Sequence, residues 1–520
     1  MGKSNQNSFI HPSVHRVDDN TLSIDNPFDI PATLYARHDV MIEPQGIDQA
    51  LDVLHVQRTV DTIQRHDDAF FGDASPALKK LVLTPDFHPG SGIPVGTVAA
   101  TQGFVLPQAV GNDICCGMRV LVVKNLSRQE LADNQDELMN RLRAIFFEGK
   151  RDIAMSPFQR EAMLQEGLVG LLNSADLQRT TWHGYHLKQQ ERDLLYTHQS
   201  GCMKSLKTFA FEDFIAASGE QGRDSQIGSV GGGNHFVEIQ ELTAIEDNAC
   251  AHQWGLSTGD FTIMAHSGSV GLGRRVGQFF MDKVRQIYPS GLAHPENNFY
   301  PLPTQGKHQE LFERYIDAMN NAANFAFANR LFLGLMVVRA LEDVLHKQLD
   351  VRLLYDAPHN LIWHDQVEFD GNTSSCFVHR KGACPAYGPS LQHDDPFAYT
   401  GPPVIVPGSM GDFSYLLAGR GNHNALCSAC HGAGRKLSRG QARRGSERGL
   451  DQRLRIVTPL DLDGQMLREH QEIRRRLMER IYEESPHAYK DVTPVVNTIE
   501  GADIAGKVAC LKPWLTIKSA

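Results

Sequence analysis

Six segments set histidine, aspartate, cysteine or asparagine among glycines and small residues, each beside an apolar run: Pro85–Gly92 (PDFHPGSG), Gly111–Met118 (GNDICCGM), Gly231–Glu238 (GGGNHFVE), His266–Ser269 (HSGS), Asp356–Asn360 (DAPHN) and Cys427–Arg435 (CSACHGAGR). A carboxylate and a thiolate in the second segment, with three well-separated imidazoles in the next three, are a donor set for divalent transition metals, and the glycines let backbone approach an ion closely. A thiolate has lone pairs enough to bridge two ions. Spacing does not separate zinc, iron and manganese, and the softness of sulfur leans toward zinc.

His431 stands apart because Gly432, Ala433 and Gly434 follow it. A neutral imidazole, with an ordinary pKa of ~6.5, attacks phosphorus readily at neutral pH and leaves readily afterwards, which permits a transient phosphoramidate. A metal ligand and a core histidine are the other readings. The run Cys427-x-x-Cys430-His431 also matches the haem-attachment pattern and half of a zinc site. Covalent haem would require export, and no second CxxC completes a four-cysteine set. The stretches Gly231–Asn234 and Pro407–Gly411 suit either backbone nests for phosphate or tight turns, and neither has the P-loop pattern. Beyond His431 runs a basic strip of Arg435, Lys436, Arg439, Arg443, Arg444, Arg448, Arg453 and Arg455, opposed only by Glu447 and Asp451. It suits a solvated face or a track for a phosphate backbone.

Positioning such loops calls for rigid strand ends. Short β-branched runs at 81–83, 119–123, 261–264, 351–355 and 404–406 each lead into or out of one of the polar segments, so strands are expected to end at loops that converge on one site. Ser127 with Glu130 predicts a capping box, followed by a helix of about five turns through Leu131, Leu138, Leu142 and Ile145. A second helix is expected from about 309 to 330 on a stripe of Leu311, Tyr315, Met319, Ala322 and Ala326, and a third from about 464 to 483. With no repeat period and no low-complexity linker, the 520 residues read as one dominant α+β domain. The 41% hydrophobic and 22% charged content excludes a disordered chain and a membrane protein, since no apolar run approaches the ~20 residues of a span. Nine irregularly spaced cysteines without a signal-like start argue for thiols and metal ligands in a cytoplasmic protein. The net charge of −10 argues against a uniformly basic nucleic-acid surface while leaving room for a local one.

In this order the segments resemble the RtcB family of RNA-splicing ligases. The likeness runs from about residue 80 to the end and includes VHRKGA (Val378–Ala383), PGSMG (Pro407–Gly411), CHGAGR (Cys430–Arg435), AYKDV (Ala488–Val492), Leu511-Lys512-Pro513 and Ile517-Lys518. It implies a mixed α+β fold in which strands feed glycine-rich loops around a central dinuclear metal cleft, with helices outside, residues 1–60 and 150–225 being its least constrained parts. It implies two manganese ions bridged by Cys116, one completed by Asp113 and His235 and the other by His266 and His359, against the leaning toward zinc. His431 matches the histidine that becomes guanylylated. The resemblance assigns GTP to Asn234, His359, Asn360, Pro407, Gly408, Ser409, Met410, His431, Gly432, Ala433, Gly434, Tyr489 and Lys518, with Tyr489 stacking and Lys518 contacting the base.

The implied reaction joins an RNA 3′-phosphate or 2′,3′-cyclic phosphate end to a 5′-hydroxyl end through GMP carried on His431, with an archease-like activator as a further partner and no membrane. Arg435, Arg439, Arg443 and Arg444 are the expected RNA contacts. A metal-dependent cyclic phosphodiesterase without ligation, or an inactive RNA-binding homologue, would not need all of Tyr489, Lys518, Cys116 and His431. Two positions depart from the family pattern. Cys115 stands where glycine is common and could compete for metal, and Val270 stands where arginine is common, leaving Arg274 and Arg275 as substitutes.

Overall fold

Each β-branched run lies within a longer strand. The computed structural model describes residues 11–175, 182–209, 211–216, 227–369, 371–444, 454–462 and 464–519. One sheet holds β1 (Val14–Arg16), β2 (Thr21–Ile24), β3 (Ala32–Tyr35), β4 (Ala77–His88), β5 (Val95–Gln102), β13 (Asn372–Lys381) and β12 (Asn360–Phe369) in that spatial order. A second runs β11 (Val351–Pro358), β7 (Gly117–Val123), β9 (Phe261–Ser267), β8 (Phe236–Ile245), β19 (Ala505–Ile517), β16 (Ser414–Gly419) and β15 (Pro403–Val406), with β18 (Ile456–Val457) added in parallel to β19. Short pairs are formed by β6 (Phe104–Val105) with β10 (Leu302–Pro303) and by β14 (Ala383–Pro385) with β17 (Ser428–Cys430).

The second sheet is buried on both faces, as the two-residue period of a strand reveals. Leu121, Val123, Ile263 and Ala265 turn toward helices on one side, while Met118, Val120, Val122 and Met264 turn to a separate cluster around Trp254 and Leu416 on the other. Between that sheet and the outer helices lies a helix of 37 residues, Gln309–Leu345, which the sequence stripe placed only as far as 330. Its middle is buried all round, and its most apolar window is 83% buried. It meets the length and hydropathy of a membrane span, which no simple apolar run suggested, yet it is the core helix of this fold. Asn321, Asn324, Asn329 and Arg330 on it are fully buried. Burying such groups unpaired would cost ~1–3 kcal/mol each, so every one is bonded to a neighbouring loop. Asn324 Nδ2 donates to Leu164 O and Met203 O, and Asn329 Nδ2 to Ser229 O, Ser267 Oγ and Gly268 O.

Two other helices differ from expectation. The capping box at Ser127–Glu130 is present, but the helix behind it breaks at Asn134 into Arg128–Asp133 and Gln135–Phe146. The expected helix at 464–483 breaks at His470 into Gln465–Glu469 and Gln471–Tyr482. Part of the 150–225 segment and the arginines at 448 and 453 lie outside the described residues.

Candidate metal and nucleotide site

Antiparallel pairing brings the chemistry-bearing ends of several strands to one place. Gly117 at the start of β7 lies opposite Ser267 at the end of β9 and Pro358 at the end of β11. Phe236, which opens β8, lies opposite His266, and Ile517 at the end of β19 lies opposite Val237. Cys116, His235, His266, His359 and Lys518 are the residues at or just beyond those ends, so rigid ladders fix all five. The Cys116 thiol is 3.1 Å from His235 Nε2 and 3.2 Å from His266 Nε2. Asp113 Oδ2 is 2.9 Å from His235 Nε2, and His359 Nε2 is 3.4 Å from His266 Nε2.

Five donor atoms thus share a small space holding few protons, an arrangement that suits cations. The far-side Nδ1 atoms of His235 and His266 meet no partner among the described residues, and the contacts of both rings' nitrogens are made through Nε2. Gly268 is needed for this approach, because a Cβ there would stand 2.3 Å from Asp113 Oδ1. Burial, reinforced by Asp113, holds the Cys116 thiol far above its usual pKa, and burial with neighbouring imidazoles holds His266 and His359 far below theirs. Desolvation would raise Asp113, but His235, Cys116 and Arg330 together outweigh it and keep the carboxyl below its ordinary range. His266 and His359 therefore present neutral lone pairs, and a bound cation would have to displace the Cys116 thiol proton.

Cys115 does not join the cluster. Its backbone takes φ +56°, the left-handed conformation that glycine adopts without cost. Its sulfur lies 4.0 Å from Arg330 Nη2, and burial pushes its thiol up to about 12. Arg330 clamps the loops around the cluster, with Nη1 donating to Cys115 O and Ser267 O and Nε to Asp356.

His431 follows β17 and sits against this group, its ring 4.7 Å from that of His359. Its Nδ1 donates to Oδ2 of the fully buried Asp86, at 2.7 Å. Thr84 Oγ1 donates to the other Asp86 oxygen at 2.5 Å. A carboxylate only accepts, so Nδ1 carries the proton and Nε2 keeps its lone pair. Asp86 lies in the first polar segment, but nothing local to that segment pairs it with a ring 345 residues away.

Two adjoining cavities meet at His431. The smaller, about 170 Å³, is lined by Asn234, Pro407, Gly408, Ser409, Met410, Gly432, Ala433, Gly434, Tyr489 and Lys518, together with Glu238 and Glu484, which the sequence reading did not single out. Ser409 Oγ is buried there without a partner among the described residues. Lys518 Nζ donates to Gly233 O and His235 O, Arg435 covers one face of the Tyr489 ring at 4.9 Å, and Tyr489 OH bonds Glu484. The larger, about 970 Å³, takes Asp113, Cys116, His359, Asn360, Lys381, Lys436 and Gln441. His359 and Asn360, expected with the nucleotide, thus line the larger cleft. Arg435 and Arg439 line both cavities, whereas Arg443 pairs with Glu483 and Arg444 bonds its own helix at Gly440 O. Arg275 is engaged by Asp213, and neither it nor Arg274 lines the cleft in place of Val270.

Glu238, 3% exposed, is pushed up to about 7 by burial, which outweighs the bonds from Thr516 and Gln240. From an unfolded value of 4.5, the native state holds this proton more tightly. The group costs nothing below about pH 4.5 and progressively more as pH rises to about 7. Glu238→Gln is expected to remove that slope, a gain of about 3 kcal/mol at pH 8 over its effect at pH 4. Urea denaturation at the two pH values measures it, and an unchanged slope would refute the assignment.

A family model described as "tRNA-splicing ligase RtcB" matches residues 74–519. The chain belongs to the RtcB family. Among its relatives, the tRNA-splicing ligase RtcB of Thermococcus kodakarensis is 34% identical over 451 residues, covering 84% of this chain and 86% of that protein. The RNA-splicing ligase RtcB of Mycobacterium tuberculosis is 36% identical over 84% of this chain and 95% of its own length. The tRNA-splicing ligase RtcB of Archaeoglobus fulgidus is 29% identical over 93% of each. The RtcB match begins just before β4, so it takes in Asp86, the Cys/His cluster, His431 and both cavities apart from residues 43 and 45 of the larger one.

Proposed function

We propose that the chain is a GTP-dependent RNA ligase that joins 3′-phosphate or 2′,3′-cyclic phosphate ends to 5′-hydroxyl ends through GMP carried on His431. The observation that carries this reading is the His431 ring itself: proton fixed on Nδ1 by Asp86, beside the Cys/His cluster, at the seam of a small cavity and a large cleft. Asp113, Cys116 and His235 would hold one manganese ion and Cys116, His266 and His359 a second, manganese resting on the family likeness. Bound there, the ions would neutralise charge on phosphate oxygens.

Nε2 of His431 attacks the α-phosphorus of GTP and the bond to pyrophosphate breaks. An oxygen of the RNA 3′-phosphate then takes GMP from the ring, which makes a poor electrophile a good one. Attack by the 5′-hydroxyl of the second strand releases GMP and leaves the phosphodiester. Glycines at 408, 432 and 434 with the free Ser409 hydroxyl suit the nucleotide's phosphates, and the larger cleft with Lys436 and Arg439 suits the RNA backbone, so binding should weaken as salt rises. Cavity-lining residues come from 43 to 518, which supports treating the chain as one catalytic domain.

With manganese and α-labelled GTP, the protein is expected to keep an acid-labile, base-stable label, and γ-labelled GTP to leave none. Absence of the α label would end this reading.

A further inference from the structure

Six residues form the wall common to the nucleotide cavity and the larger cleft: His88, Val95, Asn234, His431, Arg435 and Arg439. Only two of them carry an imidazole with a basic ring nitrogen, since arginine stays charged and asparagine and valine offer no basic atom. One is His431, the nucleophile of the reading above. The other, His88, has no part in that reading.

His88 is held on both sides. It ends β4, two residues beyond Asp86. The carbonyl of Phe87 accepts from Lys490 Nζ at 2.6 Å, and Lys490 is ion-paired with Glu43 at 3.0 Å. Beyond it, Gly90 is locked by a reciprocal pair with the Gln49 side chain, at 2.9 and 3.0 Å. The ring itself is fixed through Nδ1, which donates to Pro89 O at 3.0 Å. A carbonyl can only accept, so Nδ1 bears the hydrogen and Nε2 is left with an open lone pair, bonded to nothing among the described residues.

Three other titratable groups near the junction are committed. Lys381 Nζ donates to Ser91 O and Ile93 O, Lys518 to Gly233 O and His235 O, and Glu238 accepts from Thr516 and Gln240. Burial lowers His88 to about 4, with His431 and Lys490 acting in the same direction and Asp86 and the Pro89 bond against it. The ring is therefore neutral and able to accept throughout the physiological range.

We propose that His88 is the general base of the sealing step. This rests on the reading that a guanylylated RNA 3′ end is the intermediate. As the 5′-hydroxyl oxygen bonds to the terminal 3′ phosphorus, its proton passes to His88 Nε2. The bond from that phosphorus to the oxygen it shares with GMP breaks, and its electron pair leaves with the GMP phosphate. The imidazolium then returns its proton to water.

The experiment uses full-length protein, an RNA strand already bearing 3′-GMP activation made by the parent enzyme, and a 5′-hydroxyl strand, in single turnover. His88→Ala and His88→Gln are expected to seal about 10²–10⁴-fold more slowly, with protein guanylylation far less affected. Added imidazole is expected to restore part of the sealing rate in His88→Ala and to leave the parent unchanged, a rescue that lost packing would not allow. Sealing within about threefold of the parent, equal losses in guanylylation and sealing, or a loss that imidazole does not relieve would each overturn the assignment. A parent enzyme that never forms the activated RNA end would instead overturn the reading beneath it.

Discussion

His431→Ala is expected to take up no GMP at all, and Asp86→Asn to take it up about 10²–10⁴-fold more slowly, by analogy with the loss when a histidine's carboxylate partner becomes an amide. The first variant removes the atom proposed to attack. The second is more diagnostic, because it leaves the imidazole in place. Asp86 accepts from Nδ1 at 2.7 Å and also from the His431 backbone N–H at 3.3 Å, while Thr84 donates to its other oxygen. An asparagine whose amide group faces Nδ1 donates instead of accepting, which moves the ring proton to Nε2 and quenches the nucleophile. GMP uptake from α-labelled GTP, timed under saturating metal and nucleotide, reads both variants. Full labelling of Asp86→Asn would mean the carboxylate does not set the tautomer. Labelling of His431→Ala would remove this histidine from the chemistry.

Much of this arrangement is legible along the chain for a specific reason. Cys116, His266 and His359 lie close to the β-branched runs at 119–123, 261–264 and 351–355, and such runs become strands whose ends the ladder aligns, whereas His235 and Lys518 stand at the ends of β8 and β19, which no such run marked. A polar residue touching an apolar run is therefore already marked as a loop held by a rigid end. Asp86 is different. It falls inside β4, and its purpose depends on a partner 345 residues away, which no local pattern encodes.

The central helix shows the same limit in another form. The stripe from Leu311 to Ala326 carries the expected helix no further than 330, and the buried Asn321, Asn324 and Asn329 bond Ser205, Met203 and Ser229, partners that the sequence does not place. The breaks at Asn134 and His470 are equally silent, since both residues are tolerated in a helix interior. Arg435 and Arg443 read as a free basic track, but the acidic Glu483 and Glu484 that engage them come from a distant helix end. The basic face open to RNA is correspondingly narrower than the run of arginines suggests.

Cys116→Ala is expected to lose the two-ion centre, and Cys115→Ala, one residue away, to keep it. Cys116 is the atom common to both proposed ion positions, lying 3.1 and 3.2 Å from the His235 and His266 nitrogens. Without its sulfur each position loses a ligand, and the negative charge that would offset two cations among neutral imidazoles is gone. A fall in manganese affinity well beyond 10-fold is expected, larger than the ~10–100-fold typical of losing an outer-shell partner. Cys115 turns its sulfur to Arg330, with a thiol held at about 12 by burial, so its removal costs only packing. Equilibrium dialysis with metal analysis of the three proteins gives stoichiometry and affinity together, and the parent treated with chelator should match Cys116→Ala in failing to accept GMP. Two ions retained by Cys116→Ala would show that the thiol is no bridge. Loss in Cys115→Ala equal to that in Cys116→Ala would show that the backbone of this loop, held by Arg330, matters more than the sulfur itself.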